Sequence, residues 1–345
     1  MELNCPIPIT DYERVLLAHG GGGKLMHQLI DKMIYREFKN EFLSQNHDGS
    51  ILPINGNKLA FTTDSFVVNP LFFPGGDIGD LAVNGTINDL VCCGAKPLYI
   101  SLAFIIEEGL LMSDLWMIIQ SIKKAIKKAG VKIVTGDTKV VEKGKGDGIF
   151  INTSGIGELY PNQNINPINC KAGDVVLING GIAEHGIAII SKREGLQFET
   201  DIHSDSAALN TMMQEVFEKC TNIHVLRDPT RGGLASTLNE IAETSNTGIT
   251  LYEKELPIDE AVHGACEILG FDPLYVANEG KILIILPENE ASKVLEIMKK
   301  YPEGKNSKFI GRVSNEYVGM VQLETIIGSK RVVDMISGEQ LPRIC

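Results

Sequence analysis

The chain has 345 residues, of which 43% are hydrophobic and 22% are charged, and its formal net charge is −12. This acidic balance excludes passive binding to nucleic acid or anionic lipid, because both require a dense cationic surface. The apolar runs are too short to cross a membrane, and the N-terminus lacks the pattern of a secretory signal. We therefore expect a cytoplasmic protein of two domains whose partners are small molecules or other proteins.

The first feature along the chain is a glycine cluster that precedes a predicted amphipathic helix. Gly20, Gly21, Gly22 and Gly23 are followed by Lys24. Free backbone amides and a cation at the start of a helix suit the binding of phosphate groups. A flexible loop that caps the helix would have the same sequence, so this segment alone leaves both interpretations open.

Three aspartates lie among small residues farther along the chain. Asp64 belongs to a predicted strand, Asp89 to a predicted helix, and Asp137 to a turn predicted at Gly136-Asp137. Mg²⁺ prefers a few hard oxygen ligands and keeps its other positions for water and nucleotide phosphates. Each aspartate alone is more readily explained as a helix cap or a turn residue. A magnesium site therefore depends on their convergence in space.

The elements that follow predict an α/β (α+β) fold. The clearest helix is predicted over 114–129, where an apolar face opposes a row of lysines. A Pro/Asn-rich segment over 160–167 separates two halves that both mix strands with helices. The predicted units are an N-terminal ATP-binding domain over 1–158, a C-terminal domain over 159–335 and a flexible tail over 336–345.

Three further residues could act at a nucleotide site. Asp228 opens the motif Asp-Pro-Thr-Arg-Gly-Gly, where the backbone can approach a ligand closely, although a helix N-cap beside a structural arginine has the same sequence. Lys139 and Glu279 are candidates for proton transfer, and a solvated lysine and a strand-end carboxylate are the alternatives. The seven histidines show no catalytic or metal-binding spacing, and we assign them no chemistry.

Cys345 ends an irregular tail. A thiol in that position is expected to be exposed and mobile, with no packing reason to be there, although a cysteine could also stand there by chance. The ten residues from 336 to 345 could extend about 33 Å at roughly 3.3 Å per residue. The tail could therefore carry a group bound to the thiol from the surface into a cleft.

Motifs spread along the chain resemble the HypE family of hydrogenase maturation proteins. They lie at residues 17–23, 61–68, 73–79, 88–90, 94–99, 135–141, 228–233, 278–280 and 342–345. The resemblance covers nearly the whole chain, and the terminal Pro-Arg-Ile-Cys is its most specific part.

The resemblance implies the two-domain fold shared by aminoimidazole ribotide synthetase, thiamine-monophosphate kinase and selenophosphate synthetase. In that fold the N-terminal sheets of two copies pair across a homodimer, and ATP binds at the dimer interface. The residues that the resemblance implies for nucleotide binding are Gly21, Gly22, Gly23, Lys24, Thr63, Asn88 and Asp228. The implied magnesium ligands are Asp64, Asp89 and Asp137, and the implied catalytic residues are Cys345, Lys139 and Glu279.

Three positions depart from the family pattern. Asp48 is a single acid where the family has an acidic metal motif, so we leave it out of the ligand set. Asp80 stands where a basic or neutral residue is common, and Cys92-Cys93 replaces small or thioether residues.

The resemblance also implies a reaction and partners. A HypF-like carbamoyltransferase would load a carbamoyl group onto Cys345, and this chain would dehydrate the thiocarboxamide to a thiocyanate with ATP and Mg²⁺. A HypC/HypD-like complex that carries iron would accept the cyano group for a [NiFe] hydrogenase. Two alternatives stay open: an ATP-dependent kinase or ligase that acts on a free small molecule, and a nonenzymatic carrier or scaffold.

Overall fold

The computed structural model describes residues 23–29, 31–32, 48–54, 57–196, 202–336 and 343–345. The helices in these ranges are α1 (Lys24–Leu29), α2 (Ile78–Cys92), α3 (Met112–Ala129), α4 (Glu184–Glu194), α5 (Asn210–Lys219), α6 (Gly233–Ser245), α7 (Glu260–Leu269) and α8 (Glu288–Met298). Within the described residues, none of these helices has the length and apolarity that crossing a membrane requires.

The first half of the chain builds one five-stranded sheet. Its strands are β1 (Ser50–Ile54), β2 (Asn57–Phe66), β5 (Ala95–Glu107), β6 (Lys132–Val141) and β7 (Ile149–Leu159). They lie in the order β1-β2-β7-β5-β6, with β5 and β6 parallel and the other neighbours antiparallel. A two-stranded hairpin, β3 (Phe72–Phe73) and β4 (Gly76–Asp77), leads into α2.

The second half builds a seven-stranded sheet. Its strands are β8 (Asp174–Ile178), β9 (Val225–Arg227), β10 (Gly248–Tyr252), β11 (Leu283–Pro287), β12 (Lys308–Ser314), β13 (Val321–Glu324) and β14 (Lys330–Val333), in the order β14-β13-β10-β12-β8-β11-β9. Along β11, Ile284 packs into one core cluster and Ile285 into another. Successive side chains of a strand point to opposite faces, so this sheet is covered on both faces. The mixed α/β class predicted from the sequence is confirmed.

Helix α2 joins the two halves. Asp77 and Asp80 form a reciprocal capping box at its first turn, which satisfies backbone N–H groups that the helix cannot satisfy itself. Leu81 packs into a core cluster that combines residues of both halves, whereas Val91 packs into a cluster built mainly from the second half. The helix therefore fixes the position of the first sheet relative to the residues that follow β9.

Two local predictions have different outcomes. The predicted helix over 114–129 is confirmed as α3, and Gly130 ends it with a φ of 71°, a left-handed conformation that glycine adopts readily. The predicted turn at Gly136-Asp137 is wrong, because both residues lie inside β6 and pair with Leu102 and Ala103 of β5. Backbone pairing with a neighbouring strand outweighs the turn preference of a Gly-Asp sequence.

Candidate functional site

A cleft of about 350 Å³ lies between the first sheet and the segment that follows β9. Six acidic residues line it, together with Arg227, Arg231 and Cys345. The acids are Asp48, Asp64, Asp89, Asp228, Glu240 and Glu279. The cleft thus collects carboxylates from β2, α2, α6 and several loops into one small volume.

Close packing of α2 against β2 brings Asp64 and Asp89 to the same side of the sheet. A Cβ on Gly85 would lie 2.9 Å from Cζ of Phe66, so only glycine allows this approach. The hydroxyl of Thr62 donates to Oδ2 of Asp89 at 2.6 Å. The predicted convergence of Asp64 and Asp89 is therefore present in one chain.

Burial and mutual repulsion govern the charge state of these acids. Burial raises the pKa of Asp89 well above its usual range, and the neighbouring charges of Asp228, Asp64 and Asp48 raise it further. Burial likewise raises the pKa of Asp228 to about 8, with Asp48 adding to the shift and Arg227 opposing it. Crowded buried carboxylates of this kind are stabilised by a cation.

The cationic side chains offset only part of this charge. Nε of Arg227 lies 2.6 Å from Asp48, and its Nη2 lies 2.7 Å from Glu240. The charge of Arg227 is therefore shared by these two acids. Oxygen atoms of Asp48 and Asp228 lie within 4.8 Å of one another and of the Cys92 sulfur. Hard carboxylate oxygens in excess over cations fit a divalent ion such as Mg²⁺.

Cys345 lies inside this cleft, and the prediction that its thiol is exposed is wrong for this structure. Its side chain packs into a core cluster that combines residues of both halves, and the residue is 8% exposed. The sulfur is within hydrogen-bonding reach of Glu279, and burial raises the pKa of the thiol, which Arg231 partly opposes. Burial thus favours the neutral thiol, which lies in the cleft that the acids line.

Glu279 is the acid most directly associated with the thiol. The residue is 4% exposed, its Oε1 has no hydrogen-bond partner among the residues that the structure describes, and burial raises its pKa well above the usual range. Asp205 accepts hydrogen bonds from the backbone N–H groups of Glu279 and Gly280 at 3.2 and 3.3 Å. The backbone of Glu279 is therefore fixed in place, while one oxygen of its carboxyl group is left to bind a ligand.

Asp137 and Lys139 lie elsewhere, so the predicted convergence of Asp137 with the other two metal ligands is wrong within one chain. Asp137 is opposite Ala103, Asn152 and then Ser65 across the sheet, three strand spacings or about 14 Å away. Because side chains alternate along β2, Ser65 and Asp137 face away from the side that Asp64 faces. Lys139 contacts Asp137 at 2.7 Å, and both side chains are exposed.

Two predicted nucleotide contacts have structural roles in one chain. Thr63 lies on the outer face of the sheet and donates to the carbonyl of Thr153 at 3.1 Å. Asn88 is 1% exposed; its amide donates to the carbonyls of Ala207 and Glu279, and its oxygen accepts from the N–H of Leu209. The polar atoms of Asn88 are thus occupied by the chain, and the residue holds the Glu279 backbone against α2.

The glycine cluster is only partly visible. Gly21 and Gly22 lie outside the described residues, whereas Gly23 is buried and immediately precedes α1. Lys24 is exposed and does not line the cleft, but His27, one turn later, contacts Glu240 at 3.1 Å. The N-terminal segment therefore borders the cleft through His27.

Several residues that line the cleft were not among the predicted site residues, including His27, Asp48, Arg227, Arg231 and Glu240. Asp48 was left out because it is a single acid in Asp-Gly-Ser, yet it lines the cleft beside Asp228. Arg227 precedes the Asp228 motif and Arg231 lies within it, so the signal for both was their proximity to an already suspected acid.

Comparisons with known proteins agree on one family. Residues 46–159 match the family model "AIR synthase related protein, N-terminal domain", and residues 171–323 match "AIR synthase related protein, C-terminal domain". Carbamoyl dehydratase HypE of Azotobacter vinelandii is 49% identical over 331 residues, which cover 96% of this chain and 97% of that protein.

Two solved structures are similar over most of their length. The crystal structure of a HypE-HypF complex contains a chain that is 50% identical, with a TM-score of 0.85, and the match covers 89% of this chain and 99% of that one. The structure of hydrogenase maturation protein HypE in complex with ATP is 46% identical, with a TM-score of 0.82, and the match covers 96% of this chain and 100% of that one.

Proposed function

The chain belongs to the AIR synthase related family, among the HypE carbamoyl dehydratases of hydrogenase maturation, and from this membership we propose the reaction that its cleft performs. A carbamoyl group bound to the sulfur of Cys345 is dehydrated at the expense of ATP to a thiocyanate. The cyano group then serves as a ligand of the iron in a [NiFe] hydrogenase.

The burial of the Cys345 thiol among Glu279, Arg231 and Asp64 is the observation that carries this proposal. In a kinase or ligase that acts on a free small molecule, the terminal cysteine would have no role inside the cleft, yet Cys345 lines it. Cys345 is well suited there to present a group already bound to its sulfur. The cleft therefore favours Cys345 as a covalent anchor over the alternative of a kinase or ligase that acts on a free small molecule.

ATP, when bound, supplies a phosphoryl group that turns the carbamoyl oxygen into a phosphate leaving group. The protein must hold the phosphates and a divalent cation near the thiol, and the carboxylates of Asp48, Asp64, Asp89 and Asp228 have the donor chemistry to hold Mg²⁺ there. Phosphate charge and carboxylate charge repel each other, and a cation held by these residues would offset that repulsion.

The chain's own residues account for the proton and charge changes. Nitrile formation requires both amide protons to leave the nitrogen as the oxygen departs. Glu279 lies beside the sulfur with a raised pKa, which makes its ionised carboxylate a stronger proton acceptor than an exposed one. The guanidinium of Arg231 is placed to offset negative charge that develops near Cys345.

Asp137, Lys139 and Thr63 act, in this proposal, from a second copy of the chain. All three lie on the uncovered face of the first sheet, which also exposes Phe61, Tyr99 and Ile156. An apolar strip of this kind suits pairing of two sheets in a homodimer. The dimer would bring Asp137 and Lys139 of one copy to the cleft of the other.

The proposed partners follow from the two ends of the reaction. A HypF-like carbamoyltransferase loads the thiol, and a HypC/HypD-like complex that carries iron accepts the cyano group. Loading requires Cys345 to leave the cleft, because the thiol is buried and protonated there. We place these exchanges in the cytoplasm.

Replacement of the terminal residue tests the proposed function. Cys345→Ala should bind ATP as the unaltered chain does, yet release no ADP in response to the carbamoylating partner and its carbamoyl donor. The unaltered chain should release one ADP for each carbamoyl group consumed. Equal ADP release by the Cys345→Ala chain would contradict the proposal and favour a free substrate.

A further inference from the structure

The last three residues, which we call the terminal tripeptide (343–345), are held by backbone hydrogen bonds against the segment that follows β2. The N–H of Val67 donates to a main-chain oxygen of Cys345 at 3.1 Å, and the N–H of Asn69 donates to the carbonyl of Arg343 at 3.2 Å. Alternate residues of the two segments are thus paired in opposite directions, as in an antiparallel ladder. This pairing binds the main chain of the terminal tripeptide and does not depend on its side chains.

Helix α4 contributes two side chains to the same main chain. Nε2 of His185 donates to the carbonyl of Ile344 at 2.7 Å, and its Nδ1 accepts from the Ser204 hydroxyl at 2.8 Å. Nη2 of Arg193 donates to the carbonyls of Arg343 and Asn69 at 2.8 and 2.7 Å. Residues eight apart lie on one face of a helix, so α4 presents both donors to the tail.

The side chains of the terminal tripeptide are anchored as well. Ile344 is 3% exposed and packs into the same core cluster as Ile189, which lies between the two donors on α4. Arg343 forms a partly exposed ion pair with Asp147. The sulfur of Cys345 thereby reaches Glu279 as the innermost group of an ordered peptide.

The same support extends to Glu279. Ser204, the partner of His185, is followed by Asp205, which holds the Glu279 backbone and contacts Nζ of Lys281 at 3.1 Å. Neighbouring residues of one segment therefore fix the tail on one side and the acid on the other. A shift of the tail relative to this segment would separate the sulfur from the carboxyl group.

We propose that His185 and Arg193 are positioning residues that bind the terminal tripeptide through its main-chain carbonyls and set the sulfur of Cys345 beside Glu279. Because the contacts are to carbonyl groups, they stay available whether the sulfur is free, carbamoylated or cyanated. Retention of the tail rests on geometry alone, whereas its effect on dehydration rests on the proposed function.

Alkylation of Cys345 in the full-length chain tests the retention. Iodoacetamide should label Cys345 about ten- to hundredfold faster in Arg193→Ala than in the unaltered chain, because the lost hydrogen bonds from a charged donor stabilise the bound tail by an amount of that order. Mass spectrometry of the C-terminal peptide measures the labelling. The labelling rate of Arg193→Lys should lie between those of the unaltered chain and Arg193→Ala, since one amine binds the two carbonyls less well than a guanidinium does. Arg312→Ala is the matched control, because Arg312 of β12 pairs with Glu288 at the start of α8 and does not contact the terminal tripeptide.

His185→Phe supplies a second, independent arm. The ring still packs against Phe73, whose centroid lies 5.6 Å from that of His185, but the donor to Ile344 is lost. Labelling of Cys345 should again accelerate while Cys170, Cys220 and Cys266, which are buried, stay unlabelled. Unchanged labelling of Cys345 in both variants, or equal labelling of the other cysteines, would overturn the proposal.

The catalytic consequence is measured separately on loaded protein. Arg193→Ala and His185→Phe should slow single-turnover dehydration while ATP affinity stays unchanged. Faster labelling with unchanged dehydration would overturn the positioning role and leave the proposed function standing. Absence of dehydration in the unaltered chain would overturn the proposed function and leave the alkylation result intact.

Discussion

Aspartates in two regions of the first half meet opposite surroundings. In the cleft, burial raises the pKa of Asp64 and of Asp89. On the uncovered face of the first sheet, the ammonium group of Lys139 contacts Asp137 and lowers its pKa. Both sets were predicted as ligands of one metal ion, but only the first is arranged to need a cation within one chain.

The difference separates two kinds of prediction from sequence. The buried cleft acids outnumber the cationic side chains that line the cleft with them, so a bound cation would offset their mutual repulsion. Asp137 and Lys139 already satisfy each other in solvent, and their role depends on what covers the sheet. The following predictions test whether the cleft is a catalytic centre and whether the uncovered face completes it.

The largest effect is expected in the cleft. Glu279→Gln keeps the shape of the side chain but removes the proton acceptor, so single-turnover dehydration should fall about 10²- to 10⁴-fold. Glu303→Gln is the matched control, because Glu303 pairs with Lys128 away from the cleft. A loss below threefold in Glu279→Gln would remove Glu279 from the mechanism.

Asn88 separates a structural role from a nucleotide contact. Asn88→Ala leaves the buried groups of Ala207 and Leu209 without partners, so the free energy of unfolding should fall by about 1–3 kcal/mol. Denaturant unfolding measures this loss, and ATP affinity of the folded variant should be unchanged. Weakened ATP binding at unchanged stability would return Asn88 to the nucleotide site.

Mixing two inactive chains tests the uncovered face. If Asp137 acts on the cleft of a second copy, Asp137→Ala and Glu279→Gln chains should together recover about a quarter of normal activity, since half the dimers are mixed and each has one intact site. Each chain alone should be inactive. No recovery after subunit exchange, verified by tagged copies, would contradict action across a dimer.

The smallest effect is a pH dependence of stability. The pKa of Asp228 is about 8 in the folded chain, above its ordinary 3.8, so the folded chain retains a proton that the unfolded chain releases. The protonated Asp228 therefore costs the folded chain no stability at low pH. As pH rises from 3.8 toward about 8, the free energy of unfolding falls, because the unfolded chain releases the proton first.

Without divalent ions, Asp228→Asn should therefore have a higher melting temperature than the unaltered chain, and the difference should be larger at about pH 8 than at about pH 5. Thermal melts of both chains in chelator measure the difference. Added Mg²⁺ should reduce it if the cluster binds the ion. A pH-independent difference would contradict the electrostatic account of the cleft.

Local patterns predicted much of the fold. The apolar face and terminal glycine of α3 are visible in the sequence, and the observed helix begins two residues before the predicted one. The strand nature of Gly136 and Asp137 was not visible, because it depends on pairing with β5 some thirty residues earlier. Tertiary pairing of that kind leaves no local signal.

The site was predictable where motifs carried it and not where packing did. Asp64, Asp89, Asp228 and Glu279 do lie together in the cleft. The burial of Cys345 was missed, because the residues that hold the terminal tripeptide, His185, Arg193 and Val67, are far away in sequence. No histidine spacing could have revealed that one imidazole binds a backbone carbonyl.

The fate of the carbamoyl oxygen tests the central claim most directly. Protein loaded at Cys345 with a carbamoyl group that carries a heavy oxygen isotope is given ATP, and the C-terminal peptide and released phosphate are analysed by mass spectrometry. The account predicts a peptide that has lost one water and phosphate that has gained the heavy oxygen. A peptide that keeps the label, or a label that appears in water instead of phosphate, would contradict it.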